Sequence, residues 1–246
     1  MAIWGSLIAG GLASRRVGIE PARESRSADH GPGFSRASRD TVVLVHGLWV
    51  HGVAMSLIRR RLERDGYQAL SFSYPSMRRG LDENAERLAA YCRDLQSPRV
   101  HLVGHSLGGL IVLRALGRLS GSGRVVTMGT PYVECHAAKC LARLPGGRAA
   151  LGRSMPEWLE AARPVLQGGT EIGVIAGRRP LGLGRLVARD LPRPSDGVVS
   201  VEETRLPGMR DHVVLDVSHS GMLVSRAVSR QIAAFLRDGA FARESR

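Results

Sequence analysis

The chain has 246 residues, of which 43% are hydrophobic, and this length fits one α/β domain better than two small ones. Its formal net charge is +13, from 35 basic and 22 acidic residues, and Lys139 is the only lysine. The arginines are spread through every segment, and no nucleic-acid recognition motif accompanies them. We therefore expect no nucleic-acid partner.

The cysteines and the N-terminus bear on where the protein works. The chain has three cysteines, an odd number without paired short spacings: Cys92, Cys135 and Cys140. We therefore expect reduced thiols that pack as small apolar groups. The apolar stretch of residues 1–13 is too short for a membrane span and follows no positive charge, which favours a cytoplasmic protein. The alternatives are a secretory signal cleaved near Ala13, or an arm in transient contact with a membrane or lipid surface.

The regular pattern begins after residues 1–39, a segment rich in Arg, Ser, Gly and Pro that we interpret as a flexible lead-in. In chain order, the patterns predict strands at 41–47, 67–74, 99–105, 124–130, 171–177 and 212–218, and helices at 53–64, 82–96, 107–119 and 224–237. Strands that alternate with helices predict an α/β fold with a mostly parallel sheet and helices on both faces. We expect it to form one domain over residues 40–246.

The stretch LVGHSLGGL, residues 102–110, places a serine where the third predicted strand ends and a helix begins. A turn this sharp forces Ser106 into a strained backbone conformation, and Gly104 and Gly108 remove side chains that would clash with the strand and the helix. The start of the helix brings unpaired N–H groups and a positive dipole end near the serine, as acyl transfer requires. The pattern predicts a nucleophile, and a turn serine without chemistry is the alternative.

A serine hydroxyl is a weak nucleophile at neutral pH, so a base has to lie within reach and a carboxylate has to orient that base. His219 follows the last predicted strand and precedes the last helix, which places it above the same sheet edge as Ser106. His105 is next to the serine, but its side chain is expected to point away from that of Ser106. We predict that His219 is the general base, and a loop histidine that helps to cap the last helix is the alternative.

Five short motifs stand out along the chain: LVHGL at 44–48, GHSLGG at 104–109, GTP at 129–131, SDGVVS at 195–200 and SHSGM at 218–222. Together they resemble the α/β-hydrolase family, and more narrowly its small bacterial esterases and lipases, over residues 41–237. In the order Ser, acid, His of that family, the resemblance makes Ser106 the nucleophile, Asp196 the orienting acid and His219 the base. It implies a minimal α/β-hydrolase fold, because residues 1–39 lack the patterns of the family's first strands.

Besides Asp196, four other carboxylates are candidates for the orienting acid. Asp196 precedes Gly197 and two valines, so a tight turn can hold its carboxylate beneath His219 while the valines anchor the loop in the core. Some relatives of this fold take their acid from the position of Glu134, just beyond the GTP turn. Three aspartates are less well placed before the histidine: Asp190, Asp211 and Asp216.

The HGL stretch at 46–48 is interpreted as part of an oxyanion hole. Gly47 lets the chain turn abruptly off the first strand, which directs the backbone N–H of Leu48 at a substrate carbonyl oxygen. The N–H of Leu107, just after the nucleophile, is the predicted second donor. His46 is expected to hold this loop by hydrogen bonds rather than to act in catalysis.

Residues 132–168 form an apolar, partly helical insert that prolines and glycines break into short pieces. We interpret the insert as a lid or pocket wall over an acyl-binding cleft, and a plain pair of surface helices is the alternative. Trp158 is its largest apolar side chain. Trp158 and Trp49 are the predicted substrate-binding residues.

The predicted function is a serine-dependent carboxylic ester hydrolase of lipid metabolism, an esterase or lipase that forms an acyl-enzyme and uses no cofactor and no metal. The expected partner is a small-molecule acyl ester or lipid. An acyltransferase, an amidase or another activity on the same triad is the first alternative, because fold and triad do not determine the acceptor. A non-catalytic hydrolase-like binding protein is the second. The identity of the ester, its chain length and the oligomeric state are left open.

Overall fold

The computed structural model describes residues 39–161, 166, 169–182 and 184–243. Three expectations concern residues before 39 and therefore lie outside the described residues. They are the flexible lead-in, the missing first strands of the family fold and the alternative of a signal cleaved near Ala13. Within the described ranges, no helix is both long enough and apolar enough to span a bilayer.

Six strands form one sheet in which all neighbouring strands are parallel. They are β1 (Thr41–Val45), β2 (Gln68–Phe72), β3 (Val100–His105), β4 (Val125–Met128), β5 (Ile172–Gly177) and β6 (Asp211–Leu215). Their order across the sheet is β2-β1-β3-β4-β5-β6. Every predicted strand is confirmed within a few residues of its predicted ends, and so is the parallel sheet.

Helices cover both faces of this sheet. They are α1 (Ser56–Arg64), α2 (Leu81–Arg93), α3 (Leu107–Leu116), α4 (His136–Ala142), α5 (Gly147–Ala150), α6 (Ser154–Glu160), α7 (Gly184–Val187) and α8 (Arg226–Asp238). One core joins α1 and α8 to the sheet, and a second joins α2, α3 and α6 to it. In β1, Val42 and Leu44 belong to the first core while Val43 and Val45 belong to the second. A strand buried on both faces explains the unbroken apolar run of β1.

Helix α8 begins later than the sequence predicts. The predicted helix starts at Val224 on its buried face, but Val224 precedes α8 and is 56% exposed. Ser225 is the residue that starts the helix, because its side-chain oxygen accepts a hydrogen bond from the backbone N–H of Val228. Val228, Ile232 and Phe235 are fully buried, as the predicted register requires.

The strand order creates a crevice between β1 and β3, at the carboxyl ends of the strands. Strand β1 pairs with β2 on one side and with β3 on the other. The segments that leave β1 and β3 therefore diverge, with α1 on one face of the sheet and α3 on the other. Such a reversal opens a crevice beyond the carboxyl ends of the strands, where ligands bind in open α/β sheets. Leu48 follows β1 and Ser106 follows β3, so both lie at this crevice.

The insert contains α4, α5 and α6, and its last helix is tied to the start of α2. The Glu157 carboxylate accepts a hydrogen bond from the Leu81 backbone N–H at 2.6 Å. The Ser154 hydroxyl donates to the Arg79 carbonyl oxygen at 2.8 Å. An acidic side chain at a helix N-terminus satisfies an unpaired N–H and interacts favourably with the helix dipole. This end of the insert is thus anchored to the helices of the second core.

Candidate active site

Ser106 lies between β3 and α3 with a backbone conformation of φ 55° and ψ −124°. A non-glycine residue held there costs about 1–3 kcal/mol and persists only where its surroundings enforce it. Here the Ser106 N–H donates to the Met128 carbonyl oxygen at 2.9 Å. Its own carbonyl oxygen accepts from the Thr130 hydroxyl at 3.1 Å and from the Gly109 N–H at 3.0 Å. These hydrogen bonds hold the serine at the strand–helix turn that the sequence predicts.

The glycines around Ser106 permit close backbone contact. A Cβ on Gly104 would lie 2.6 Å from the Gly109 Cα, and one on Gly108 would overlap the carbonyl groups of Val45 and His46. Real Cβ atoms essentially never approach this closely. The predicted reason for these glycines is therefore confirmed: α3 packs directly on the ends of β1 and β3.

His219 and Asp196 form a buried hydrogen-bonded pair. Nδ1 of His219 lies 2.7 Å from Oδ2 of Asp196, and the Asp196 side chain is fully buried. Oδ1 accepts hydrogen bonds from the backbone N–H groups of Val198 and Val199 at 2.9 and 2.7 Å. With both carboxylate oxygens engaged, Nδ1 of the histidine is the donor, and Nε2 is left as the proton acceptor.

A cavity of about 330 Å³ lies at the crevice, within the size range of small-molecule sites. It brings together most of the predicted site residues: Leu48, Trp49, Ser106, Leu107 and His219. Much of its remaining wall is apolar and includes Val50, Leu141, Leu151, Met155, Val187 and Leu223. The arrangement thus combines a hydroxyl, an imidazole and an apolar space for a ligand.

The comparisons with known proteins agree with this architecture. Residues 42–242 match the model of the alpha/beta hydrolase family. The chain belongs to the alpha/beta hydrolase family. A search of curated proteins finds no match. The family supports a hydrolase as the class of enzyme.

Several solved structures share the fold of this hydrolase. The mature lipase from Bacillus licheniformis has a TM-score of 0.66 at 19% identity, with 82% of this chain and 92% of that chain covered. An esterase from Pyrococcus furiosus has a TM-score of 0.58 at 19% identity, with 82% and 81% covered. A metagenomic carboxyl esterase has a TM-score of 0.55 at 18% identity, with 74% and 65% covered. At these identities the likeness shows the fold.

His105 supports the His219 loop of the hydrolase in a way that the sequence did not indicate. The centroids of the two imidazole rings lie 4.7 Å apart, and Nε2 of His105 donates to the His219 carbonyl oxygen at 3.1 Å. Burial lowers the pKa of His105 to about 3, so this ring is neutral at physiological pH. A neutral ring against His219 holds the loop in place without adding a positive charge beside it.

His46 holds the loop after β1, in agreement with its predicted role. Its Nδ1 donates to the Gly47 carbonyl oxygen at 2.8 Å, and its Nε2 accepts from the Tyr74 backbone N–H at 3.3 Å. The Tyr74 hydroxyl in turn donates to the His46 carbonyl oxygen at 2.7 Å, and the two rings stack. Burial lowers the pKa of His46 and keeps the ring neutral. Tyr74, which follows β2, thereby holds the turn at Gly47 that precedes Leu48.

The competing acids lie against other partners. Glu134 forms an ion pair with Lys139 at 2.6 Å and is nearly half exposed. The other three aspartates lie near cationic or imidazole groups of their own: Asp190 with His136, Asp211 with Arg243 and Asp216 with Arg178. Among the acids considered, Asp196 is the one hydrogen-bonded to His219 in the described structure. Among the described residues, no hydrogen bond joins the Ser106 hydroxyl to the His219 ring, and such a bond often tightens only when substrate binds.

The two predicted substrate-binding tryptophans have different positions. Trp49 lines the cavity, is 55% exposed and donates its indole N–H to the Ala150 carbonyl oxygen at 2.7 Å, which links the loop after β1 to the insert. Trp158 is 1% exposed and packs in the second core instead of lining the cavity. Because α6 is anchored to α2, its apolar face turns into the core. Met155 of α6 and Leu151, which follows α5, reach the cavity instead.

The two tryptophans generate a matched prediction. Trp158→Ala should lower the free energy of unfolding by about 3–5 kcal/mol, because it empties a fully buried site. Trp49→Ala should cost about 1 kcal/mol, because it removes one hydrogen bond of an exposed side chain. Urea denaturation measures both values. Equal losses in the two variants would contradict these assignments.

The turn after β4 generates a second prediction. Gly129 has φ +55°, and a Cβ there would lie 2.9 Å from Oδ2 of Asp196 and 3.0 Å from Nδ1 of His219. Gly129→Ala should displace this pair and lower hydrolytic turnover about 100-fold, the size of effect that a misplacement of 1 Å can have. Turnover of a chromogenic ester such as p-nitrophenyl acetate is the measurement.

Gly66→Ala is the control for that prediction. Gly66 also has a positive φ, of +95°, but nothing lies within 4 Å of the position of its Cβ. Both variants therefore place an alanine at a positive φ, which costs about 1–2 kcal/mol of stability. Only Gly129→Ala also disturbs His219 and Asp196. A similar loss of turnover in both variants would show that backbone strain is the cause.

Proposed function

We propose that this hydrolase is a serine-dependent carboxylic ester hydrolase, an esterase or lipase that works through an acyl-enzyme. The main support is that His219, held by a hydrogen bond of 2.7 Å to the buried Asp196, lines the same cavity as Ser106, which stands at a strand–helix turn with φ 55°. Ser106 and His219 line one cavity from two different loops, with the Asp196 carboxylate of a third loop hydrogen-bonded to His219, and no structural need explains this arrangement. Their convergence favours catalysis over a turn serine.

In the proposed reaction, Ser106 Oγ attacks the ester carbonyl carbon while Nε2 of His219 takes the serine proton. The tetrahedral intermediate collapses as the histidine protonates the leaving alcohol, and the acyl group stays on the serine oxygen. A water molecule then gives a proton to His219 and attacks the acyl carbon. The second intermediate collapses, the proton returns to Ser106, and the carboxylic acid leaves. Asp196 keeps Nδ1 protonated throughout and stabilises the imidazolium.

The oxyanion formed in both steps needs donors. Leu107 is the first residue of α3, so its backbone N–H has no acceptor within the helix, and the positive end of the dipole of this ten-residue helix adds to it. Leu48 lines the same cavity just after the turn at Gly47. We assign the two N–H groups as the oxyanion hole, and the loss of one such donor costs about 2.7–4 kcal/mol.

The cavity wall favours an apolar acyl group. Its side chains come from the insert, from the loop after β1 and from the segment after His219, and they include Leu141, Leu151, Met155 and Leu223. Burial of apolar surface contributes about 25 cal/mol per Å², so binding would strengthen as an alkyl chain fills the cavity. An apolar acyl ester of lipid metabolism is therefore the proposed substrate class. An acyltransferase would use the same residues with an alcohol in place of water.

The nucleophile is tested with a fluorophosphonate probe, which labels activated serines. The native protein should be labelled, and Ser106→Ala should lose both the label and the hydrolysis of p-nitrophenyl esters. Ser220→Ala is the matched control, because Ser220 lines the same cavity. Label that survives in Ser106→Ala, or disappears in Ser220→Ala, would refute the assignment.

The acid is tested by isosteric substitutions. Asp196→Asn should lower turnover about 10⁴-fold, as the equivalent change does in a serine protease triad, because an amide favours the wrong imidazole tautomer. Glu134→Gln should change it little, because Glu134 pairs with Lys139. Circular dichroism checks that both variants are folded. A large loss for Glu134→Gln with a small loss for Asp196→Asn would reverse the assignment.

A further inference from the structure

Three side chains of metal-binding type lie together where α4 meets the segment after α7, away from the triad. They are His136, Cys140 and Asp190, and one ligand atom from each lies within 4.8 Å of the others. His136 and Cys140 are four residues apart on α4, so they share one face of that helix. Asp190 lies in the segment after α7, about 50 residues further along the chain. The fold therefore completes a set that the sequence spacing does not display.

Two of the three distances within this cluster are close to those around a tetrahedral zinc ion. Zinc binds His nitrogen and carboxylate oxygen at about 2.0–2.2 Å and Cys sulfur at about 2.3 Å, so tetrahedral geometry separates nitrogen from sulfur by about 3.5 Å and nitrogen from oxygen by about 3.3 Å. In the structure, Nε2 of His136 lies 3.5 Å from Sγ of Cys140 and 3.0 Å from Oδ1 of Asp190. The third distance, between Sγ of Cys140 and the Asp190 carboxylate, is within 4.8 Å, and rotation of the exposed Asp190 side chain can shorten it.

The surroundings of the cluster also suit an ion. The Asp190 side chain is 76% exposed, so an ion can enter and water can complete its coordination. The backbone N–H of His136 donates to Oε1 of Glu203 at 2.6 Å, which fixes the start of α4. Below the cluster, a small apolar group holds α4 against the Asp190 segment: Ala137, Ala188 and Leu191, with Cys140 packed on it. The two halves of the site are thus brought together before any ion binds.

We propose that the protein binds one Zn²⁺ through Nε2 of His136, Sγ of Cys140 and the carboxylate of Asp190, with water as the fourth ligand. One imidazole, one thiolate and one carboxylate form a donor set typical of zinc. On binding, the Cys140 thiol gives its proton to solvent, and the ion replaces the His136–Asp190 hydrogen bond. No electron is transferred, and the proposal is independent of the proposed esterase activity.

The ion would fix one wall of the cavity. Ala138 and Leu141 of α4 line the cavity, while His136 and Cys140 point to the cluster. Zinc would join this helix to the segment that follows α7, and so restrain the part of the insert that α2 does not hold. Its role is structural, because none of its three ligands lines the cavity.

Zinc binding is measured on the full chain without an affinity tag, after treatment with a chelator. Competition with a chromophoric chelator should show one equivalent of Zn²⁺ per chain, and zinc should raise the melting temperature by a few degrees. His136→Gln and Cys140→Ser should each weaken binding at least 100-fold. Asp190→Asn, at an exposed position that should not affect folding, should weaken it at least tenfold. No uptake of zinc at micromolar concentration by the native protein would overturn the proposal.

Cobalt supplies a readout of the thiolate ligand. Co²⁺ added to the native protein should give a thiolate-to-cobalt charge-transfer band, and Cys140→Ser should lack this band. Cys135→Ala is the matched control, because Cys135 lies at the start of the same helix outside the cluster, and it should keep the band. Circular dichroism identifies any variant that is unfolded. Binding of unchanged affinity in a folded His136→Gln, Cys140→Ser double variant would also refute the site.

Discussion

The positive φ of Ser106 is the constraint on which the rest of the site depends. A serine does not adopt φ 55° by preference, so hydrogen bonds from two neighbouring segments have to enforce it. The Met128 carbonyl oxygen and the Thr130 hydroxyl supply them from the end of β4 and the turn that follows it. Gly104 and Gly108 let α3 approach the sheet closely enough for this turn to form. The serine therefore stands at the crevice because β1, β3 and β4 all end there.

The histidine and the acid are positioned by a second layer of contacts. Asp196 is held by two backbone N–H groups, and the backbone N–H of His219 donates to the Asp196 carbonyl oxygen at 3.0 Å. His105, the last residue of β3, is hydrogen-bonded to the His219 carbonyl oxygen, so the strand that presents Ser106 also supports His219. Gly129 leaves room for the pair where any side chain would intrude. Small changes in these supporting residues are thus expected to act on turnover through His219.

The insert has two differently supported ends. Its α6 end shares the second core and caps α2 through Glu157, which is why Trp158 contributes to stability rather than to the cavity. Its α4 end contacts the segment after α7 through a few small side chains and the cluster around Cys140. A bound ion would supply the restraint that packing supplies at the other end.

The sequence by itself determined the order of strands and helices, the elbow at Ser106 and the role of His46, because these follow from local patterns of apolar residues and glycines. Val224 shows the limit of such patterns: a cap at Ser225, not the apolar period, sets the start of α8. Only the tertiary structure decided which partner each distant residue meets. It brought Asp196 to His219, paired Glu134 with Lys139, turned Trp158 into the core and assembled His136, Cys140 and Asp190. The physical reason is that local patterns report burial and backbone conformation, whereas contacts between segments far apart in the chain depend on the order of strands in the sheet and on the packing of helices against it.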